Sequence, residues 1–128
     1  MFIKCGDIFI KIDNNVEFIK YSSTRNVILI YKKDDDVLEI RLSNKNKNLY
    51  DEMIKKIDSK FDNLVKFSDC IVFLNQIEVI KIKSEYLVAK MIIKVNGTFK
   101  KLHSDYNDGL KMEVELTKIR NFLNEELN

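Results

Sequence analysis

Apolar positions along this chain fall mostly in short runs broken by charges and by Asn/Asp/Ser clusters, the spacing of strands. In two longer stretches they recur every three to four residues, the spacing of helices. Residues 8–12 (Ile-Phe-Ile-Lys-Ile) predict a strand that ends at the turn-forming Asp13-Asn14-Asn15. Further strands are predicted over 16–21 and 27–33, separated by Ser22, Ser23 and Thr24. The acidic triplet Asp34-Asp35-Asp36 then makes a hairpin turn into 37–42. There Val37, Glu39 and Arg41 alternate with Leu38, Ile40 and Leu42, which predicts one wet face. After a polar loop, Leu49, Met53, Ile57 and Phe61 stand at steps of four, widened by Tyr50 and Ile54. Asp51, Glu52, Lys55, Lys56 and Lys60 fall on the other side, so this stretch reads as an amphipathic helix.

The second half reads in the same way. Strands are predicted over 70–74, 77–83, 86–95 and 98–102, with Asn96-Gly97 as a hairpin turn between the last two. A helix follows over 112–127, with Leu116, Ile119, Phe122, Leu123 and Leu127 inward. The halves also align directly. Residues 3–13 match 65–75 at an offset of 62, and Val16-Glu17-Phe18-Ile19-Lys20 meets Ile77-Glu78-Val79-Ile80-Lys81 at 61. An internal repeat outweighs local propensity as a guide to architecture. The expectation is an α+β fold of two tandem ββββα repeats, about 1–62 and 63–128, with antiparallel sheets each followed by an amphipathic helix. A half of about 60 residues buries too little surface alone, so the repeats are expected to share one core as a pseudo-dimer within a single domain, 1–128.

Composition narrows what such a fold can do. An apolar share of 45% is enough for a core, which excludes a disordered chain. The basic and acidic residues, 22 and 20, nearly cancel, and the pI of 8.4 falls short of a nucleic-acid signature. Of the basic residues 19 are Lys and 3 are Arg; Pro is absent and Ala occurs once, at Ala89. Lys, Asn and Ile have A/T-rich codons, so an AT-rich genome accounts for many lysines without any phosphate to grip. No apolar run approaches the roughly 20 residues of a membrane helix or the ~7–15 of a signal sequence. Cys5 and Cys70 form no disulfide framework and no Cys-x-x-Cys pair, which points to a reducing cytoplasm with both thiols acting as small hydrophobes.

Candidate chemistry is sparse. The sole histidine, His103, lies in the polar stretch His103-Ser104-Asp105-Tyr106-Asn107-Asp108-Gly109. Read as an EF-hand loop from Ser104, this stretch has Tyr106 at the third place and lacks the acids needed early in the loop, although Glu115 stands twelfth. It reads instead as a loop leading into a helix, capped by Asp108 or Asn107. The Asp34-Asp35-Asp36 tip cannot point three carboxylates at one centre, and its counterpart, Asn96-Gly97, has none. Gly6, Gly97 and Gly109 are isolated, so no phosphate loop or dinucleotide fingerprint is present. No catalytic residue, metal or cofactor is expected.

The expected function is therefore a small cytoplasmic, non-enzymatic binding or adaptor protein, an accessory protein of a low-GC bacterium or its phage, working by protein–protein contact as a monomer or homodimer. A partner protein would use an exposed strand edge or a docked helix, and no membrane is involved. The alternative is an RNA- or DNA-binding protein using Lys45/Lys47, Lys55/Lys56/Lys60 and Lys81/Lys83/Lys100/Lys101, although acids interleave with most of these lysines. The residues singled out as an interaction surface are Lys55, Lys56, Lys60, Tyr106 and His103.

Overall fold

The computed structural model describes the chain apart from Met1, Gly6, 43–46, Ser68, Asn96 and Asn128; the side chains of Cys5, Asp35, Lys47, Gln76, Glu126 and Leu127 also lie outside the described set. Among the described residues, ten strands in three antiparallel sheets and two α-helices make an α+β architecture. In chain order the elements are β1 (Phe2–Cys5), β2 (Ile8–Lys11), β3 (Val16–Ser22), β4 (Val27–Lys32), β5 (Val37–Arg41), α1 (Lys47–Lys60), β6 (Leu64–Phe67), β7 (Cys70–Phe73), β8 (Val79–Glu85), β9 (Val88–Val95), β10 (Thr98–Asp105) and α2 (Gly109–Leu127). The chain divides into two compact units, Met1–Gln76 and Ile77–Asn128.

The first unit is built on a five-stranded sheet in the order β5-β4-β3-β7-β6. Its centre is a row of β-branched residues: Ile19 on β3 faces Ile30 on β4 and Ile71 on β7, and all three are fully buried. Such residues fill a pleated, covered surface with little loss of rotamer freedom. The pairing of β3 with β4 shifts between Val16 and Phe18, a bulge at Glu17, which is buried. A separate two-stranded ribbon, β1–β2, sets Ile3 opposite Ile10, and both join the core with Tyr50, Met53 and Ile57 of α1. The Tyr21 and Tyr50 rings stack with centroids 5.4 Å apart. The carbonyl of Asp69, in the β6–β7 turn, accepts from Tyr21 N–H at 3.0 Å and from Tyr50 O–H at 2.7 Å, tying that turn to both sheet and helix. Burial pushes the Tyr50 phenol far above its ordinary range, with Cys70 and Asp69 adding to the effect, so it remains a donor.

The second unit is a three-stranded meander, β10-β9-β8, with α2 packed on β9. Along β9 burial alternates strictly, Ala89, Met91, Ile93 and Val95 being buried and the residues between them half-buried. The turn from β8 to β9 has two residues, since Glu85 pairs with Val88. It puts Leu87 at φ 62°, a left-handed conformation that costs a branched side chain about 1–3 kcal/mol. Gly97, between β9 and β10, takes φ 78° without that penalty, and its N–H donates to Glu78 Oε1 at 3.2 Å.

The layout is only partly compatible with two tandem ββββα repeats. Each helix follows five strands, not four: the additional ones are β1 and β6, Phe-Ile-Lys-Cys and Leu-Val-Lys-Phe. The strands β6 and β7, from the sequence's second half, complete the first unit's sheet, while β1–β2 forms a ribbon of its own. The helices also differ in length, 14 residues against 19. The wet face expected of β5 is less clean than its sequence: Leu38 is as exposed as Val37, because β5 is an edge strand. Asn96 of the predicted Asn-Gly turn lies outside the described residues.

Candidate functional site

The loop between β10 and α2 is where sequence-predicted residues and an accessible concavity coincide. Asp108 caps α2, its Oδ1 accepting from Leu110 N–H at 2.9 Å and its carbonyl from Met112 N–H at 3.2 Å. The side-chain bond satisfies a donor that the first helical turn leaves without an intrahelical partner, and the carbonyl bond opens the helix's own i→i−4 ladder. Upstream, Tyr106 N–H donates to the carbonyl of Leu87 at 2.8 Å, and the Leu87 side chain lies within 4 Å of where a Cβ on Gly109 would stand. The β8–β9 turn thus holds the start of α2 in place.

With the helix so anchored, Tyr106, Leu110, Lys111, Val114 and Glu115 line a groove of about 360 Å³. Tyr106 is half-buried and its hydroxyl donates to the Glu115 carboxylate. Burial, then the hydrogen bond and charge of Glu115, push the phenol up to about 12 despite an opposing hydrogen bond from Ser104, so Tyr106 is a neutral donor at physiological pH. Leu110 and Val114, one helical turn apart, are 74% and 48% exposed. Two branched apolar side chains beside an aromatic ring, flanked by Lys111 and Glu115, suit an amphipathic segment.

Of the other expected site residues, His103 is exposed on β10, opposite Lys90 of β9, and on the other face of that strand from the buried Leu102. It does not line the groove. Lys55, Lys56 and Lys60 belong to α1, in the first unit, and are not part of this site. Lys55 and Lys60 are exposed, whereas Lys56 pairs with Glu52 at 2.9 Å and donates to the carbonyl of Lys4. Lys66 and Lys90 have acidic partners as well, Asp58 and Glu85. Lys45 and the Lys47 side chain lie outside the described residues.

Of the groove residues, the sequence reading singled out Tyr106 and missed Lys111, Glu115 and the apolar pair Leu110 and Val114. For that apolar pair the signal was present: Leu110 and Val114 stand at a spacing of four, off the inward stripe of Met112, Leu116 and Ile119. Among the described residues no group of three or more His, Cys, Asp or Glu side chains is placed to hold a metal ion, and no helix is long and apolar enough to cross a membrane. Cys70 is a free thiol, buried on β7, while the Cys5 side chain lies outside the described residues. Comparison with protein-family models, curated proteins and solved structures finds no match for this chain.

Proposed function

We propose that this protein is a non-enzymatic binding module whose groove beside α2 receives an amphipathic helix of a partner protein. The observation that carries the reading is the exposed pair Leu110 and Val114 next to Tyr106. Single exposed apolar residues are ordinary on a protein surface, but a contiguous set with polar ends suggests a docking place. In this reading a partner helix lays its apolar face on Leu110, Val114 and the Tyr106 ring, while Lys111 and Glu115 set its orientation by charge. The setting is a reducing cytoplasm, in which a buried thiol such as Cys70 stays inert. The two halves descend from one duplicated unit. In support, ribbon, meander and helix recur in the same order, with Phe2–Cys5 standing to Leu64–Phe67 at an offset of 62 and Val27 to Val88 at 61.

The test is selection of displayed helical peptides against the intact protein, followed by affinity measurement on Leu110→Asp combined with Val114→Asp. Both positions are exposed, so the thermal midpoint should hold within a few degrees while selected peptides lose at least about tenfold in affinity. Peptides that bind the double variant as tightly as the parent would sink the groove reading. Titration with single-stranded RNA and duplex DNA at physiological salt separates the nucleic-acid alternative. Sub-micromolar binding abolished by changing Lys55, Lys56 and Lys60 together to Glu would favour that alternative, whereas the binding-module reading expects only weak binding that collapses with salt.

A further inference from the structure

The two ribbons of this chain align at an offset of 62, with mostly apolar residues at corresponding strand positions, and have unequal surroundings. In the β6–β7 ribbon the outer strand edge of β7 pairs with β3, Phe18 facing Val72, Ile19 facing Ile71 and Lys20 facing Cys70. One face of that ribbon carries Ile71 and Phe73, at 0% and 6% exposure, with Leu64 packed against the same core. In the β1–β2 ribbon the residues at the same positions are Phe9 for Ile71 and Phe2 for Leu64, and they are 65% and 64% exposed. The opposite faces agree: Ile3 and Ile10 are buried, as Val65 and Val72 are. Two lysines interrupt the apolar pattern of the exposed face: Lys11 stands where Phe73 does, and Lys4, opposite Phe9 with its ammonium 5.7 Å from that ring's centroid, stands where Lys66 does. So β1–β2 leaves exposed the face its counterpart buries, and among the described residues the outer edge of β2 adds to no sheet.

The complementary deficit lies in the second unit. There β8 has the place in its meander that β3 has between β4 and β7, but β8 ends the sheet. Strand β3 is buried at Val16, Phe18, Ile19 and Tyr21, whereas no residue of β8 is fully buried and Val79 is 45% exposed. An open edge with apolar residues on both faces is a template for another strand.

We infer that β8 accepts the β1–β2 ribbon of a second copy of this chain, as β3 accepts β6–β7 within one copy. The inference rests on the duplication, not on the groove, and the junction uses none of the groove residues. Carrying the β3–β7 register across the sequence alignment puts Ile10 opposite Val79, Phe9 opposite Ile80 and Ile8 opposite Lys81, in antiparallel pairing. Phe9 then falls on the face of β8 that holds Ile80 and Ile82, beside the buried Met91 and Ile93 with which those residues pair. The contact is head-to-tail: the surface given by one copy differs from the surface it meets on the next. Three paired residues and a small apolar face make it modest in area, so association is concentration-dependent.

Sedimentation velocity on the full chain, up to about 1 mM, tests this. The parent protein should self-associate as its concentration rises, and Phe9→Asp and Val79→Asp should each weaken that association at least tenfold. Both side chains are exposed, so circular dichroism should show each variant folded. An equimolar mixture of the two variants decides the geometry. The Phe9→Asp chain keeps a sound β8 and the Val79→Asp chain keeps a sound ribbon, so the mixture should regain a one-to-one pair that neither forms alone. A parent chain that stays monomeric throughout, association indifferent to both variants, or a mixture no better than its parts would overturn the inference.

Discussion

Cys70 shows how one side chain records its surroundings. It lies on β7, where its neighbours leave it only 5% exposed, and burial pushes its thiol up to about 11, with Asp69 adding and Lys20 opposing. In the unfolded chain the same thiol titrates near its ordinary value of about 8.5. The folded state therefore holds this proton more tightly. The resulting stability is fully present below the ordinary value and is lost as pH rises towards 11. Measured against a Cys70→Val variant, wild-type stability should fall between about pH 9 and 11 and run parallel below that range. At neutral pH, in a Cys5→Ser background, Cys70 should react with a thiol reagent only as fast as the sheet opens. Labelling at the rate of a free thiol would show that β7 is not held as described.

At the scale of elements, the start of α2 decides whether the groove has a shape. Replacing Asp108 by Ala removes the acceptor for Leu110 N–H and should cost about 1 kcal/mol in urea unfolding, with Asp108→Asn retaining most of it. An unchanged midpoint in the Ala variant would mean that the cap contributes nothing. That cap was readable in the sequence, as were the core stripe of α1 through Tyr50, Met53 and Ile57 and eight of the ten strands. Phe2–Cys5 and Leu64–Phe67 were not, because four residues with a Lys in third place give too few alternations to separate a strand from a loop. The partnering of β7 with β3 was hidden for a different reason. Local pattern shows that Cys70, Ile71 and Val72 are apolar, but the strand that covers them is set by long-range packing. For the groove, nearness in sequence groups Tyr106 with His103, but His103 lies within β10 while Tyr106 follows the end of that strand and lines the groove.

For the molecule as a whole, the unit boundary after Gln76 has a direct consequence for dissection. A fragment 1–62 follows the sequence repeat but removes β6 and β7, two of the five strands of the first sheet, and uncovers Ile19 and Tyr21. It should be unfolded or aggregated, while a fragment 1–76 retains every strand of that sheet and should melt at the higher temperature. Equal thermal transitions for the two would show that β6–β7 is dispensable. The same chain order imposes a delay during synthesis. Strand β3 is made about 50 residues before β7, which at ~5–20 residues per second leaves its edge waiting for several seconds. Throughout that interval Phe18 and Ile19 lie on an unfinished sheet, next to other growing chains. Slowing translation should lengthen the wait and lower the soluble yield, so the pace of the ribosome becomes part of how this fold is reached.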